Sequence, residues 1–306
     1  MIHQDALPDE LRNSLETHYS LRLLKATPLS RGEEALIWQV NSSVGPLVVR
    51  MSPASRSPSR LPWRHHVLLA LASSLPQALA PLLAADGSTL LSYQDYSVAL
   101  FPYVRGDRLD RDQAQLRRAS ARLLAQLHTA LLPHLKHPAP LERKWLKEEG
   151  PQQEKLRDPE LDRWHERLLE SVASLTIGLI HGDYYPGNLL TQGEQIVAVL
   201  DWDDLHTDLL MQEVAWACWE FGQTATSDDW HLDRVQAFLQ AYREAGGPCK
   251  IEEYHTIIPF VRWRLREELR YHHFAKITAG LPSDPAYVAG QVRAFERLRA
   301  YDTSFI

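Results

Sequence analysis

The chain has 306 residues, of which 44% are hydrophobic and 24% are charged, and this composition indicates a globular protein rather than a disordered one. Its formal net charge of −6 argues against nucleic acid as the main partner, because a phosphate backbone favours a basic surface. Two cysteines, Cys218 and Cys249, are too few for a disulfide framework or a zinc pattern. The sequence shows neither a signal peptide nor a run of about 18 apolar residues, so we expect a cytoplasmic protein without a membrane partner.

The first hundred residues are predicted to be rich in strands. A short helix is expected from Pro8 to Tyr19, and strands are expected at 21–29, 35–41 and 46–51, the last two joined as a hairpin by SSVGP. A helix is predicted within WRHHVLLALASSL. Further strands are predicted near 79–84 and across TLLSYQDYSVALFPYV.

The last two hundred residues are predicted to be mostly helical. Four leucines between 110 and 132 recur on one helical face: Leu116, Leu123, Leu127 and Leu131. Two short apolar strands, TIGLI and QIVAVL, surround a polar motif, and helices are expected near 208–222, 228–245, 253–277 and 284–300. This segregation predicts an α+β fold with two domains, residues 1–103 and 104–306.

The polar motif is IHGDYYPGNLL, residues 180–190. Asp183 directly follows an apolar strand, Gly182 permits a sharp turn, and the Pro186-Gly187 turn brings Asn188 back towards Asp183. The next strand ends in VLDWDD, which supplies Asp201. This grouping suits phosphoryl transfer, in which one Asp accepts the proton of the attacking hydroxyl while an Asn and a second Asp hold Mg²⁺ on the nucleotide phosphates.

LIHGDYYPGNLL followed by VAVLDWDD resembles the aminoglycoside phosphotransferase and choline-kinase-like family of small-molecule kinases. ARLLAQLH resembles the helix that precedes the catalytic loop in that family, and ALFPYVRGDRL resembles its hinge. The resemblance implies a two-lobed protein-kinase-like fold, with a small β-rich N-terminal lobe and a larger, mostly helical C-terminal lobe. It also implies ATP, with GTP as an alternative, and Mg²⁺ as cofactors. The implied roles are Asp183 as the catalytic Asp, Asn188 and Asp201 as metal ligands, His181 as a brace of the loop, and Asp203 as a secondary metal or water contact.

The nucleotide-binding side departs from the kinase pattern. The third strand offers Arg50 where kinases place a phosphate-binding Lys; the alternative is that Arg50 is a solvent-facing strand end. No Asp or Glu occurs between residues 35 and 85, so the following helix lacks the usual Glu partner, and His65 or His66 lies near its position. Glu33 or Glu34 is an alternative partner. The other predicted nucleotide contacts are Ser30, Arg31 and Gly32 in the acidic loop SRGEEALIW, together with Phe101 and Tyr103.

Two sets of side chains compete for the phosphate acceptor. An acidic and aromatic set suits a cationic amine, and its predicted substrate contacts are Asp208, Glu213, Trp216 and Glu220, with Trp219, Asp228, Asp229 and Trp230 nearby. The alternatives are a packed helix with a solvated acidic face and, for Glu213, a role in fixing the loop. A basic set, Arg262, Arg266 and Arg270, is expected to form i,i+4 pairs on a solvated surface; if one of them faces the cleft, a carboxylated acceptor is implied. His272 and His273 are interpreted as surface or interface residues.

The sequence therefore predicts a kinase that phosphorylates a hydroxyl of a small molecule such as an aminoglycoside, choline or homoserine. Two alternatives stay open at this point. The first is a catalytically weak or inactive nucleotide-binding pseudokinase, which the missing helix Glu and the acidic loop favour. The second is a protein Ser/Thr kinase. The acceptor and the oligomeric state are left open.

Overall fold

The computed structural model describes residues 6–31, 35–54, 60–136, 156–227, 229–271 and 284–301. The chain forms two compact units. The first contains Met1–Asp107, Leu190–Gln192 and Val197–Asp203, and the second contains Arg108–Leu189, Gly193–Ile196 and Asp204–Ile306. Two short segments of the second half of the sequence therefore belong to the first unit, and one of them carries Asp201 and Asp203.

The first unit is built on a five-stranded antiparallel sheet with the order β1-β2-β3-β5-β4. Its elements are α1 (Asp9–Tyr19), β1 (Leu23–Arg31), β2 (Leu36–Ser42), β3 (Gly45–Pro53), α2 (Arg60–Leu71), β4 (Leu91–Tyr93) and β5 (Tyr96–Pro102). The predicted hairpin of the second and third strands is confirmed as β2 and β3. Leu11 and Leu15 of α1 join Trp38, Val49 and Leu100 of the sheet in one apolar core.

Strand β3 places a basic side chain on the face opposite that core. Leu47, Val49 and Met51 alternate along the strand and are buried, as expected for a strand that covers a core on one side. Arg50 lies between the last two and therefore extends from the other face. In the ladder it stands between Ile37 of β2 and Ala99 of β5.

The strand predicted near residues 79–84 is wrong. This segment has no regular secondary structure, and its neighbour Ala78 makes a single parallel bridge with Val199. Pro81 lies in the middle of the segment, and because proline has no backbone N–H it cannot donate to a strand ladder. The apolar residues of the segment cover the core without forming a strand.

The second unit is mainly helical. Its helices are α3 (Ala114–Leu131), α4 (Pro159–Ser171), α5 (Leu210–Gly222), α6 (Leu232–Glu244), α7 (Ile257–Arg270) and α8 (Pro285–Arg297). Strand β7 (Ile177–Ile180) pairs antiparallel with β10 (His206–Leu209), a strand that the sequence did not predict. In the described part of the chain, no helix combines the length and the apolar character needed to cross a membrane.

Three short strands surround the ends of the polar motif. β6 (Asp107–Arg108), β8 (Leu189–Gln192) and β9 (Gln195–Val199) form a small sheet with the order β6-β8-β9. Together with the sheet of the first unit and the helices of the second, this segregation confirms the predicted α+β class.

The basic stripe of α7 is buried, so the expected solvated surface is wrong, although one i,i+4 pair, Arg264 with Glu268, is present on this helix. Arg266 is 1% exposed and pairs with Asp162 at 2.5 Å, and Arg262 pairs with Asp158. Both acids belong to the start of α4, a helix that the sequence analysis missed. Asp158 is also its N-cap and accepts a hydrogen bond from the backbone N–H of Leu161 at 3.1 Å. Arg262 and Arg266 therefore pair with acids of a second helix, whereas Arg270 pairs with Glu267 along α7 itself.

Candidate active site

The polar motif begins where β7 leaves the interior of the second unit. Gly182 has φ +86°, a conformation that favours glycine. A Cβ atom at this position would lie 2.4 Å from the backbone oxygen of Asp204, so any side chain would collide with neighbouring backbone. The glycine of His-Gly-Asp is therefore required by the path of the chain, which turns sharply just before Asp183.

Asn188 returns to Asp183, and the predicted proximity of the two residues is confirmed. A short 3₁₀ helix, Pro186–Asn188, reverses the chain. The Nδ2 atom of Asn188 donates to the backbone oxygen of Asp183 and to its carboxylate Oδ2, each at 2.9 Å. Both donors of the amide are thereby used, and its Oδ1 is left without a donor among the described residues.

The loop of the polar motif rests on the buried carboxylate of Glu213. The backbone N–H groups of His181 and Gly182 donate to its two oxygens at 3.1 and 2.6 Å. Nε2 of His128, on α3, bonds one of these oxygens at 2.9 Å, and the hydroxyl of Tyr242, on α6, bonds Nδ1 of the same imidazole at 2.8 Å. A continuous line of hydrogen bonds thus runs from α6 to the loop.

This arrangement keeps Glu213 ionised in the interior. Burial alone would raise the pKa of its carboxyl group. The hydrogen bond and charge of His128, the charge of His181 and the N–H of Gly182 outweigh burial, and the net pKa lies below the usual value. A negative charge fixed behind two backbone N–H groups holds the turn of the loop in place.

Of the four predicted substrate contacts, two are buried and bonded to the protein itself. Glu213 supports the loop as described. Asp208 lies in strand β10, before the helix in which it was expected, and is 1% exposed. Its Oδ1 accepts from the backbone N–H of Leu209 at 2.7 Å, and its Oδ2 lies 3.3 Å from Nε2 of His206. Both carboxylates are thus used within the fold.

Trp216 and Glu220, the other two predicted contacts, lie in a charged cluster. The carboxylate of Glu220 pairs with Arg111 at 3.2 Å. The guanidinium carbon of Arg264 lies 5.1 Å from the ring centre of Trp216, and its Nε is 3.0 Å from Glu268. The indole face that was predicted to bind a cationic ligand is therefore covered by a cation of the chain.

The charged cluster is coupled electrostatically to Asp183 in the loop of the polar motif. Burial raises the pKa of Glu220 to about 7, Arg111 opposes the rise, and the negative charges of Asp183 and Glu268 add to it. For Arg264, burial lowers the pKa, but the charges of Glu268 and Asp183 outweigh burial and the net pKa is raised. The charge of Asp183 thus raises the pKa of both Glu220 and Arg264.

In the first unit, Arg50 pairs with two of the three acids of VLDWDD. Its Nη2 lies 3.4 Å from Oδ1 of Asp201 and donates to Oδ2 of Asp203, its nearer partner. Asp201 has φ +60°, an uncommon conformation for a residue other than glycine but one that Asp and Asn tolerate. The Arg50 side chain is 19% exposed, so it is not a free strand end.

The predicted lid and hinge residues are only partly described. Ser30 and Arg31 end strand β1, whereas Gly32, Glu33 and Glu34 lie outside the described residues, as do Asp228, His272 and His273. Phe101, near the end of β5, contacts the imidazole of His65 edge-on at 5.6 Å between ring centres. The backbone N–H of Tyr103 donates to Pro46 at 3.1 Å.

Sequence reasoning missed several residues that the structure connects to the site. His128 was visible in the motif ARLLAQLH, but its partner Glu213 is 85 positions away. Arg264 lies inside the predicted basic stripe, two positions from Arg262 and Arg266, and its guanidinium joins the charged cluster over Trp216. Arg111 and Tyr242 carried no sequence signal of their own.

Comparison with known proteins decides the family. The profile of the phosphotransferase enzyme family APH matches residues 25–248. The chain belongs to this family. It is therefore a phosphotransferase, as the sequence predicted, and the resemblance stated from the loop residues is confirmed.

Curated relatives are homoserine kinases at low identity. A homoserine kinase of Rhizobium etli (strain CIAT 652) is 26% identical over 255 residues, which cover 79% of this chain and 78% of the relative. A homoserine kinase of Rhizobium johnstonii is 26% identical over 258 residues, with the same coverage. The match spans most of both proteins.

Solved structures show the same kinase-like fold. The amicoumacin kinase hAmiN, in complex with AMP-PNP, Ca²⁺ and Ami, has a TM-score of 0.72 at 15% identity and covers 98% of this chain and 97% of its own. The choline kinase LicA of Streptococcus pneumoniae has a TM-score of 0.65 at 13% identity, with 96% and 99% covered. The predicted fold class is confirmed by these neighbours.

Proposed function

We propose that this phosphotransferase moves the γ-phosphate of ATP to a hydroxyl group of a small molecule. The observation that carries the proposal is the pair of Asp183 and Asn188, held together by two hydrogen bonds on a loop anchored to Glu213. In this reaction Asp183 orients the hydroxyl and accepts its proton. Positioning and charge neutralisation supply most of the rate, since the chemistry needs no covalent intermediate.

The donor set suits Mg²⁺, which prefers oxygen ligands and keeps several waters and phosphate oxygens in its shell. Asp201 is 52% exposed and Asn188 has an unused amide oxygen, so each has an oxygen to offer. Within the described residues, no group of three or more His, Cys, Asp or Glu side chains is arranged to hold a metal. A metal bound with the nucleotide would neutralise charge on its phosphates.

His181 and Glu213 are proposed to position the loop rather than to react. His181 is fully buried, its N–H is bound by Glu213, and its Nδ1 accepts from the N–H of Asp183 at 3.3 Å. The imidazole therefore fixes the backbone of the catalytic residue. The roles first expected for Glu213 and Asp208 in substrate binding are replaced by these internal contacts.

The acceptor is proposed to carry an amino group. Four carboxylates, those of Asp183, Asp204, Glu220 and Glu268, act on the charged cluster, against the two guanidiniums of Arg111 and Arg264. An excess of negative charge favours an ammonium group, and Arg264 offers a place for a carboxylate. A hydroxy amino acid satisfies both conditions, and the homoserine kinase relatives support this class.

An ADP-release screen tests the proposal. The panel comprises homoserine, serine, choline, an aminoglycoside and a neutral sugar, each with ATP and Mg²⁺, and the Asp183→Asn variant serves as the blank. We expect ADP release well above the blank with a hydroxy amino acid and loss of the signal when EDTA replaces Mg²⁺. Release only with the neutral sugar would contradict the acceptor class, and release with no compound would contradict the kinase activity.

A nucleotide-binding pseudokinase is the second candidate, because α2 has no carboxylate to pair with Arg50. The same screen separates the two functions. A pseudokinase binds nucleotide, which calorimetry detects, but releases no ADP with any compound of the panel. The Asp183–Asn188 pair favours the active enzyme, since this geometry serves transfer and not binding alone.

Glu220 gives the acceptor affinity a pH dependence. Because its pKa is about 7, the carboxyl is mostly protonated at pH 6 and ionised at pH 8, so the KM for an amine-bearing acceptor should fall as pH rises through this range. Glu220→Gln should remove this dependence and raise KM at pH 8 by about tenfold, the effect of one charge-assisted hydrogen bond. Glu244→Gln, at an exposed position of α6, is the matched control and should behave like wild type. An unchanged pH profile in Glu220→Gln would exclude this role.

A further inference from the structure

Arg50 on β3 has no acidic partner on the next helix, which is where kinases place one. In kinases, a Glu on this helix pairs with the phosphate-binding Lys and holds it towards the nucleotide. Here the sequence contains no Asp or Glu from residue 35 to residue 85, and α2 carries basic and apolar residues instead. Arg50 therefore requires a carboxylate from another part of the chain.

The structure provides that carboxylate from the end of the VLDWDD segment. Asp203 is the nearer of the two acids that Arg50 contacts, and its side chain is 30% exposed. Asp201 lies farther away at 3.4 Å, is 52% exposed, and has a positive backbone φ. The two acids thus differ in both distance and exposure.

We propose that Asp203 takes the place of the missing helix carboxylate as the positioning partner of Arg50, and that Asp201 alone serves as the metal ligand of this segment. Asp201 and Asp203, the first and second of the three aspartates of DWDD, then have separate tasks. Asp203 holds the guanidinium where its planar group meets the nucleotide phosphates, and Asp201 keeps an oxygen for the cation. The inference rests on the proposed use of a nucleotide.

The environment of His65 agrees with this division. His65 is buried on α2, its Nδ1 lies 2.8 Å from the hydroxyl of Thr89, and its ring contacts Phe101. Burial, together with the charges of Arg50 and Arg64, lowers its pKa to about 4. The imidazole of His65 is neutral and is bonded to other groups, so it offers no negative charge to Arg50. It is nevertheless close enough for the charge of Arg50 to lower its pKa.

Nucleotide affinity without metal separates the two roles. Asp203→Asn and Asp201→Asn remove the same charge near the phosphates, and Asn tolerates the positive φ of residue 201, so the pair is matched. Calorimetry with ADP in EDTA should show Asp203→Asn binding about tenfold more weakly than Asp201→Asn, because only the former releases Arg50. With Mg²⁺ added, wild type and Asp203→Asn should gain affinity, whereas Asp201→Asn should not.

Equal metal-free affinities of the two variants, or weaker binding by Asp201→Asn, would overturn the proposal. Absence of ADP binding by wild type would instead reject the nucleotide function itself, so the two failures are distinguishable. A second variant tests the replacement directly. His65→Glu returns a carboxylate to α2, and in the Asp203→Asn background it should restore most of the lost affinity. A folded double variant without recovery counts against the replacement, and if it does not fold, the matched pair decides.

Discussion

Replacing Asp183 by Asn is expected to lower kcat by about 10²–10⁴-fold, the usual contribution of a general base, while nucleotide affinity stays similar. The amide has no site for the proton of the attacking hydroxyl. It still offers an oxygen to Nδ2 of Asn188, so the loop keeps its hydrogen bonds. Steady-state ADP release measures kcat, and calorimetry with ADP measures the affinity.

The control for this variant is Asp229→Asn, an acid-to-amide change at a position that is 63% exposed and pairs with Arg297 on the surface. It should leave both quantities unchanged, because exposed ion pairs contribute little. A kcat of Asp183→Asn equal to that of the control would exclude Asp183 as the base.

Glu213→Gln is expected to lower the free energy of unfolding by about 2–4 kcal/mol and to lower kcat as well, because a buried charged partner is removed from bonded donors. Gln keeps one acceptor oxygen, but its NH₂ group would face a donor, either the backbone N–H of Gly182 or His128. Urea unfolding followed by tryptophan fluorescence measures the first effect. The loss of loop geometry should appear in kcat more than in KM.

The pH dependence of the stability tests whether the charge of Glu213 causes the destabilisation of Glu213→Gln. The pKa of Glu213 is depressed in the fold, so its contribution is present above the pKa of the unfolded chain and is lost as pH falls through the folded value. The stability difference between wild type and Glu213→Gln should therefore shrink in acid. Tyr242→Phe removes only the hydroxyl that bonds His128 and should cost less. A difference that stays constant down to low pH would show that the charge of Glu213 is not the cause.

Local signals in the sequence were enough to predict the conformation of the loop that carries Asp183 and Asn188. The strand before Asp183, the glycine at 182 and the Pro186-Gly187 turn act over a few residues, so their spacing alone predicts that Asn188 meets Asp183. The family followed from the same residues. For Glu213, the sequence left two roles open, substrate binding and fixing the loop. It could not decide between them because the residues that Glu213 contacts lie 31 to 85 positions away.

Contacts distant in sequence explain what could not be predicted. The partner of Arg50 lies 153 positions along the chain, and no pattern in the strand or in α2 points to it. The arginines of α7 look like a solvated stripe because acids stand beside them in sequence, yet Arg262 and Arg266 bind acids of α4, 104 positions away. Helical periodicity gives the face on which a residue lies, but not the element that packs against that face.

The burial of these pairs bears on how ionic strength acts on the protein. Dissolved salt screens charges that face water, and an exposed pair such as Arg297 and Asp229 weakens as salt is added. Arg262 and Asp158 are both shielded by the packing of α4 on α7, so mobile ions do not reach them. Helix α4 precedes β7, the strand that leads into the catalytic loop. The Arg262–Asp158 contact of α4 with α7 should therefore respond less to the surrounding electrolyte than that of Asp162, the 38% exposed partner of Arg266.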